Sequence, residues 1–154
     1  MIAAFALLVA VATPSPQHLP TITVKAPRAT LTLQVAKTED QRELGLMSVT
    51  KLPAHTGMVF VFDQDAPVEF WMKNTFIPLD MVFVGADGQV RAVAAKVPAT
   101  KADTPDDKIP RRGATAKYVL ELPAGESQKD GIADGVRLDL SAAQCGTTQG
   151  STNC

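Results

Sequence analysis

The segment Phe70–Asp80, FWMKNTFIPLD, sets one tryptophan, one lysine, one asparagine and one aspartate into an otherwise apolar run. If Val68–Lys73 is a strand, alternation puts Phe70 and Met72 on one face and Glu69, Trp71 and Lys73 on the other. An isolated lysine charge in low dielectric is too costly to keep, so the Glu69, Trp71, Lys73 face is expected to be paired or open to water. An indole between an acid and a base suits a polar ligand with one apolar side, such as a sugar ring or an aromatic compound. The competing reading is structural: Trp71 covers the edge of the core and Lys73 pairs with Glu69 or Asp80. Asn74-Thr75 is a turn signal, because Asn tolerates left-handed backbone and can bond its own chain. Asp80, between Leu79 and Met81, is the acid most expected to be partly buried, as a structural anchor or as a general base.

The residues for most other chemistry are missing. There is no G-x-S-x-G elbow, H-E-x-x-H, phosphate-cradling glycine loop or C-x-x-C. The only histidines are His18, in an apparent linker, and His55, beside Pro53 in a loop, so neither a metal site nor a cofactor is expected. A hydrolase working with carboxylates alone would draw on Asp63, Asp65, Glu69 and Asp80.

With 154 residues the chain has room for one domain, and a domain of this size hides roughly two-thirds of the surface its unfolded form exposes. A formal net charge of −1 removes the electrostatic case for binding nucleic acid, which needs clustered Lys and Arg. Arg111-Arg112 is the only adjacent basic pair and reads as a solvated loop. Residues 1–12, MIAAFALLVAVA, are apolar without interruption but short of the roughly 20 residues that span a bilayer as a helix. Ala10-Val11-Ala12 offers the small-x-small pattern of a signal-peptide cleavage site, which predicts export to the periplasm or the extracellular space. If uncleaved, this segment is the one expected membrane contact. Cys145 and Cys154 both lie in the polar tail 141–154, expected to be flexible, where an oxidising compartment could join them.

Residues 13–29 read as linker, with Thr21–Lys25 a short edge strand. The folded unit is expected over 30–140 as one β-rich domain and a monomer. Leu31, Leu33 and Val35 alternate with polar or small residues as in a half-buried strand. Thr38 and Gln41 form a capping-box pattern that starts a short helix, which Gly45 limits. Strands are predicted at Met58–Phe62, Val68–Lys73, Asp80–Val84, Gln89–Val97, Tyr118–Leu122 and Val136–Leu140. GADG turns one pair into a hairpin, Pro98–Arg112 reads as a long exposed loop, and Gly125–Asp130 as one helical turn. The fold class is therefore mainly β: a compact antiparallel or mixed β-barrel or sandwich with two short helices.

Several of these strings together resemble the domain of unknown function 192 family, small bacterial and archaeal proteins, many of them exported. Arg42 with Gly45-Leu46-Met47 fits its R-x-x-G-L-M segment, Gly57–Phe62 its G-M-L-F-x-F strand, and Phe70–Asp80 its F-W-M-K-N-T-x-I-P-L-D signature. Val119-Leu120-Glu121 fits a V-L-E strand and Gly131-Ile132 with Gly135 a G-I-x-x-G-D turn, in which Val136 stands where Asp is usual. The resemblance implies a compact β-rich fold and groups Arg42, Trp71, Lys73, Asn74 and Asp80 in one pattern, without an activity, substrate or cofactor. Such polar groups can equally form a buried network that fixes the fold. The leading expectation is an exported β-barrel domain that binds a small polar ligand or a cell-envelope component, without catalysis, through Arg42, Glu69, Trp71, Lys73, Asn74 and Asp80. One alternative is a hydrolase-like enzyme with Asp80 as base or nucleophile, aided by Lys73 and Asn74. The other is a structural or partner-binding protein that acts through the long loop or the tail.

Overall fold

The structure is a computed structural model and describes residues 14–145; the expected signal segment 1–12 and Cys154 lie outside them. Six strands, β1 Thr21–Lys25, β2 Thr30–Ala36, β3 Thr56–Trp71, β4 Leu79–Val84, β5 Val90–Val97 and β6 Arg111–Pro123, form one sheet. Their order is β1-β2-β3-β6-β4-β5. Only β2 and β3 pair in parallel; the other neighbours are antiparallel. The fold is mainly β, as the alternating apolar positions require, but β1 and β5 remain edges and the sheet does not close. The barrel form of the expectation is corrected accordingly to an open mixed sheet.

Antiparallel strands can turn straight back, whereas a parallel pair needs a crossover of a dozen or more residues. Residues 37–55 are that crossover, and they carry helix α1, Glu39–Leu44, across one face of the sheet. The capping box starts α1 as its sequence predicts: Gln41 N donates to Thr38 Oγ1 at 3.2 Å and Thr38 N to Gln41 Oε1 at 3.1 Å. Gly45 ends the helix with φ +47°, and a Cβ there would stand 3.3 Å from the Phe60 ring. A glycine thus lets the turn after α1 settle directly on the sheet.

Both faces of the sheet are covered. In β4, Leu79, Met81 and Phe83 point to the α1 side and Val82 and Val84 to the other, so all six residues are buried. The α1 side packs Leu46, Met72 and Ile109 on Met58, Phe60 and Val119. The opposite side is closed by Ile132, Leu138, Leu140 and Ala143, the last in a short helix α3, Ser141–Gln144. The chain reaches it through helix α2, Glu126–Lys129, the helical turn the sequence indicates.

Three elements differ from expectation. Met58–Phe62 and the expected Val68–Lys73 strand as far as Trp71 belong to one strand, β3, with an irregularity between Val61 and Ala66 where Asp63, Gln64 and Asp65 are exposed, while Met72 and Lys73 lie beyond its end. Val136–Leu140 is not a sheet strand: beyond one bridge, Gln89 to Arg137, its backbone bonds are local or go to the β4–β5 turn and the first residue of β5, including Leu138 N to Gly88 O at 2.9 Å and Val90 N to Val136 O at 2.8 Å. Arg111 and Arg112, expected in the exposed loop, begin β6, while Thr100 and Ile109 tuck the preceding loop into the fold. Among the described residues no helix is long and apolar enough to cross a membrane.

Candidate functional site

Trp71 ends β3, and α1 stands across from it. Between them opens a groove of about 440 Å³, lined by Asp40, Glu43, Leu44 and Met47 on the α1 side and by Trp71, Lys73 and Asn74 on the other. Asn74 takes the left-handed backbone its residue type permits, φ +51°, and its carbonyl accepts from Ser48 N at 2.8 Å. That bond ties the two walls together. The indole is flanked by cations: Lys73 Nζ lies 4.9 Å and the Arg111 guanidinium 5.1 Å from its ring centre. Arg111 also meets Glu69 Oε1 at 3.0 Å, and Lys73 meets Asp106 Oδ1 at 3.3 Å. The result is a row, Glu69, Arg111, Trp71, Lys73, Asp106, in which acids hold the bases that hold the ring. Exposed pairs of this kind add little stability, so their main effect is to orient the indole.

Below the groove lies a narrow cavity of about 30 Å³, space for about one water. It shares Glu43, Leu44, Met47, Trp71 and Lys73 with the groove and is otherwise bordered by Arg42, Phe60, Phe70, Thr75 and Glu121, among others. Glu121 is 5% exposed and sits in β6 opposite Met58 of β3 and Met81 of β4. Its carboxyl has no hydrogen-bond or ion-pair partner among the described residues. Burial pushes it up to about 8, so at neutral pH it is mostly protonated. Desolvation alone sets that value, although Arg42 and Lys73 border the same cavity. Arg42 is otherwise engaged: its Nη1 donates to the carbonyls of Lys37 and, at 3.1 Å, Val61, and its guanidinium lies 5.0 Å from the Phe62 ring centre.

The structure therefore brings Trp71, Lys73 and Asn74 to one groove, places Arg42 beneath it, and sets Glu69 behind Arg111. Asp80 belongs elsewhere. It is fully buried, Oδ1 accepting from Lys96 N at 2.7 Å and Gly125 N at 2.9 Å, and Oδ2 from Ser127 N at 3.0 Å and Ser127 Oγ. Its lone pairs are occupied by β5 and by the segment that enters α2, which makes it an anchor between the two and leaves no oxygen to act as a base. Lys73 pairs with neither Asp80 nor Glu69 but with Asp106. Sequence reasoning passed over Glu121, Arg111, Asp40 and Glu43. A signal for Glu121 did exist, an acid between Leu120 and Leu122 on the same face as buried Val119.

The family model for domain of unknown function 192, an uncharacterized ACR, matches residues 21–140, which span all six strands, both walls of the groove apart from Pro14, and Glu121. The chain belongs to this family. Two solved structures are similar to it. One, from Sinorhizobium meliloti 1021 and described provisionally as a transcription regulator, is 32% identical with a TM-score of 0.67, covering 81% of this chain and 97% of that one. The other, a protein of unknown function from Novosphingobium aromaticivorans DSM 12444, is 27% identical with a TM-score of 0.65, covering 89% of this chain and 99% of its own. No curated protein matches the chain.

Proposed function

We propose that this member of the domain of unknown function 192 family is an exported domain whose α1–Trp71 groove binds a small ligand with one apolar face and peripheral hydroxyls, a saccharide-like component of the cell envelope. The observation that carries the reading is Glu121, a buried carboxyl without a hydrogen-bond or ion-pair partner among the described residues, at the foot of an open groove. Leaving such a group unpaired costs free energy in the free protein, and a ligand hydroxyl that reaches it recovers part of that cost. The other groups suit the same ligand: the indole faces a ring's apolar side, and Asp40, Glu43, Lys73 and Asn74 offer hydrogen bonds around it. Twelve uninterrupted apolar residues ending in Ala10-Val11-Ala12 support the exported setting. Nucleic acid is a poor fit, given a net charge of −1 and two acids on the groove wall.

A thermal-shift panel of mono- and disaccharides and cell-wall fragments tests the proposal. A ligand at about 100 times its dissociation constant adds about 2.7 kcal/mol of stability, and Trp71→Ala abolishes the gain. No shift across the panel, or one that survives Trp71→Ala, contradicts it.

A second reading has one observation in its favour. A carboxyl pushed by burial up to about 8, in a cavity that Lys73 also borders, is suited to general acid or base work. That version moves the catalytic role from Asp80, whose oxygens are filled, to Glu121. It predicts turnover of a bound saccharide with an ionisation near pH 8 that disappears in Glu121→Gln; a ligand recovered unchanged excludes it.

A further inference from the structure

A second group of donors stands apart from the groove, where the loop entering β3 meets α2. His55 Nδ1 lies 3.0 Å from Asp130 Oδ1 and 3.5 Å from Glu126 Oε2. One donor atom from each of the three residues lies within 4.8 Å of the other two. The two carboxyl side chains are 4% and 2% exposed, whereas the His55 side chain is half exposed. Asp130 Oδ2 is buried and accepts no hydrogen bond from the described residues. Lys129 Nζ, 2.8 Å from Glu126 Oε1, offsets one of the two acids. Lys129 is also within electrostatic reach of Asp130 and Asp80, so one exposed ammonium serves three buried acids. Buried carboxyls that outnumber the lysine beside them, one with an unused oxygen, suit a further cation.

We propose that His55, Glu126 and Asp130 form a site for one divalent transition-metal ion, Zn²⁺ foremost. Donors bound tetrahedrally at about 2.0–2.1 Å stand about 3.3 Å from each other. The two observed separations, 3.0 and 3.5 Å, bracket that value before any ion draws the side chains in. One imidazole nitrogen with two carboxylates suits zinc and its neighbours, whereas calcium and magnesium favour oxygen alone. The half-exposed ring leaves the fourth position to water. Glu126 Oε2 also accepts from His55 N at 2.9 Å, so the loop backbone is already fixed at the site. The ion ties the start of β3 to the same turn that Asp80 anchors.

The full-length protein, stripped with a chelator, is titrated with Zn²⁺ by calorimetry and its melting midpoint followed. The expected result is one equivalent bound and a higher midpoint. His55→Ala, at a half-exposed side chain, and Asp130→Asn each weaken binding roughly tenfold or more. Co²⁺ in place of Zn²⁺ gives visible bands without thiolate charge transfer, as nitrogen and oxygen donors require; Cys145 is disulfide-bonded. Absence of one-to-one binding, binding that persists in both variants, or a thiolate band overturns the proposal. So does stability that rises on protonation of His55, ignores Zn²⁺ and vanishes in His55→Ala, which would make the cluster a protonated histidine bridging Glu126 and Asp130 beside Lys129.

Discussion

Replacing Glu121 by Gln keeps the side chain's shape and removes its ability to ionise, and the burial of the carboxyl sets the sign of the effect. The folded carboxyl titrates at about 8 and the unfolded one at its ordinary 4.5. The folded state thus holds its proton more tightly. Stability from this group is fully present below the unfolded value, falls as pH rises, and is lost once pH passes about 8. At about 1.4 kcal/mol per pH unit, the wild type loses up to about 5 kcal/mol between pH 4.5 and 9 from this group alone. That is comparable to the whole stability of many domains. Glu126, Asp87 and Asp139 are held below their ordinary values by hydrogen bonds and contribute the opposite slope, lost in acid. They are common to both proteins and cancel in the difference. Urea unfolding at several pH values, followed by the emission of Trp71, measures that difference directly. Glu121→Gln is expected to gain on the wild type by several kcal/mol as pH rises from 4.5 to 9. Parallel stability profiles for the two proteins would refute the reasoning, because they would mean that the carboxyl is solvated or paired in the folded state.

Other substitutions separate anchors from groove residues. Asp80→Ala strips the acceptors from Lys96 N, Gly125 N, Ser127 N and Ser127 Oγ, and should cost at least about 3 kcal/mol in chemical unfolding. Lys73→Met breaks a pair whose partner Asp106 is well exposed, so its unfolding midpoint should correspond to a change of less than about 1 kcal/mol while groove binding weakens. Gly57→Ala would put a Cβ 2.1 Å from the Glu121 carbonyl oxygen, and the β3–β6 pairing cannot open to admit it; a loss of soluble, cooperatively folding protein is expected, read by the absence of a cooperative melt.

Local signals in the sequence carried far where the chain answers to its own neighbours. The Thr38–Gln41 cap, the alternation of β2, the apolar β4 and the left-handed Asn74 all follow from residue type and spacing. Long-range choices were less legible. The parallel pairing of β2 with β3, and with it the position of α1 over the groove, depends on where a crossover lands rather than on any motif within it. Val136–Leu140 has strand-like alternation, yet its backbone finds partners in a turn, and periodicity reports only that Leu138 and Leu140 face inward. Within FWMKNTFIPLD, sequence could identify polar residues embedded in a core but not separate them. Trp71, Lys73 and Asn74 face a groove, while Asp80, a few residues on, satisfies a distant turn. Arg111 and Glu121 come from β6 and reach this neighbourhood only through its pairing with β3, so a linear reading had no reason to join them to Trp71.

The indole Nε1–H of Trp71 gives one resonance in a nitrogen-edited NMR spectrum, since the chain has a single tryptophan, and it sits on the groove wall above Glu121. Titration with the saccharide that gives the largest thermal shift should move this resonance saturably, and the same titration of Glu121→Gln should require more ligand. A saccharide that binds without moving the indole signal, or a panel in which none does, would contradict the assignment of the groove as a ligand site.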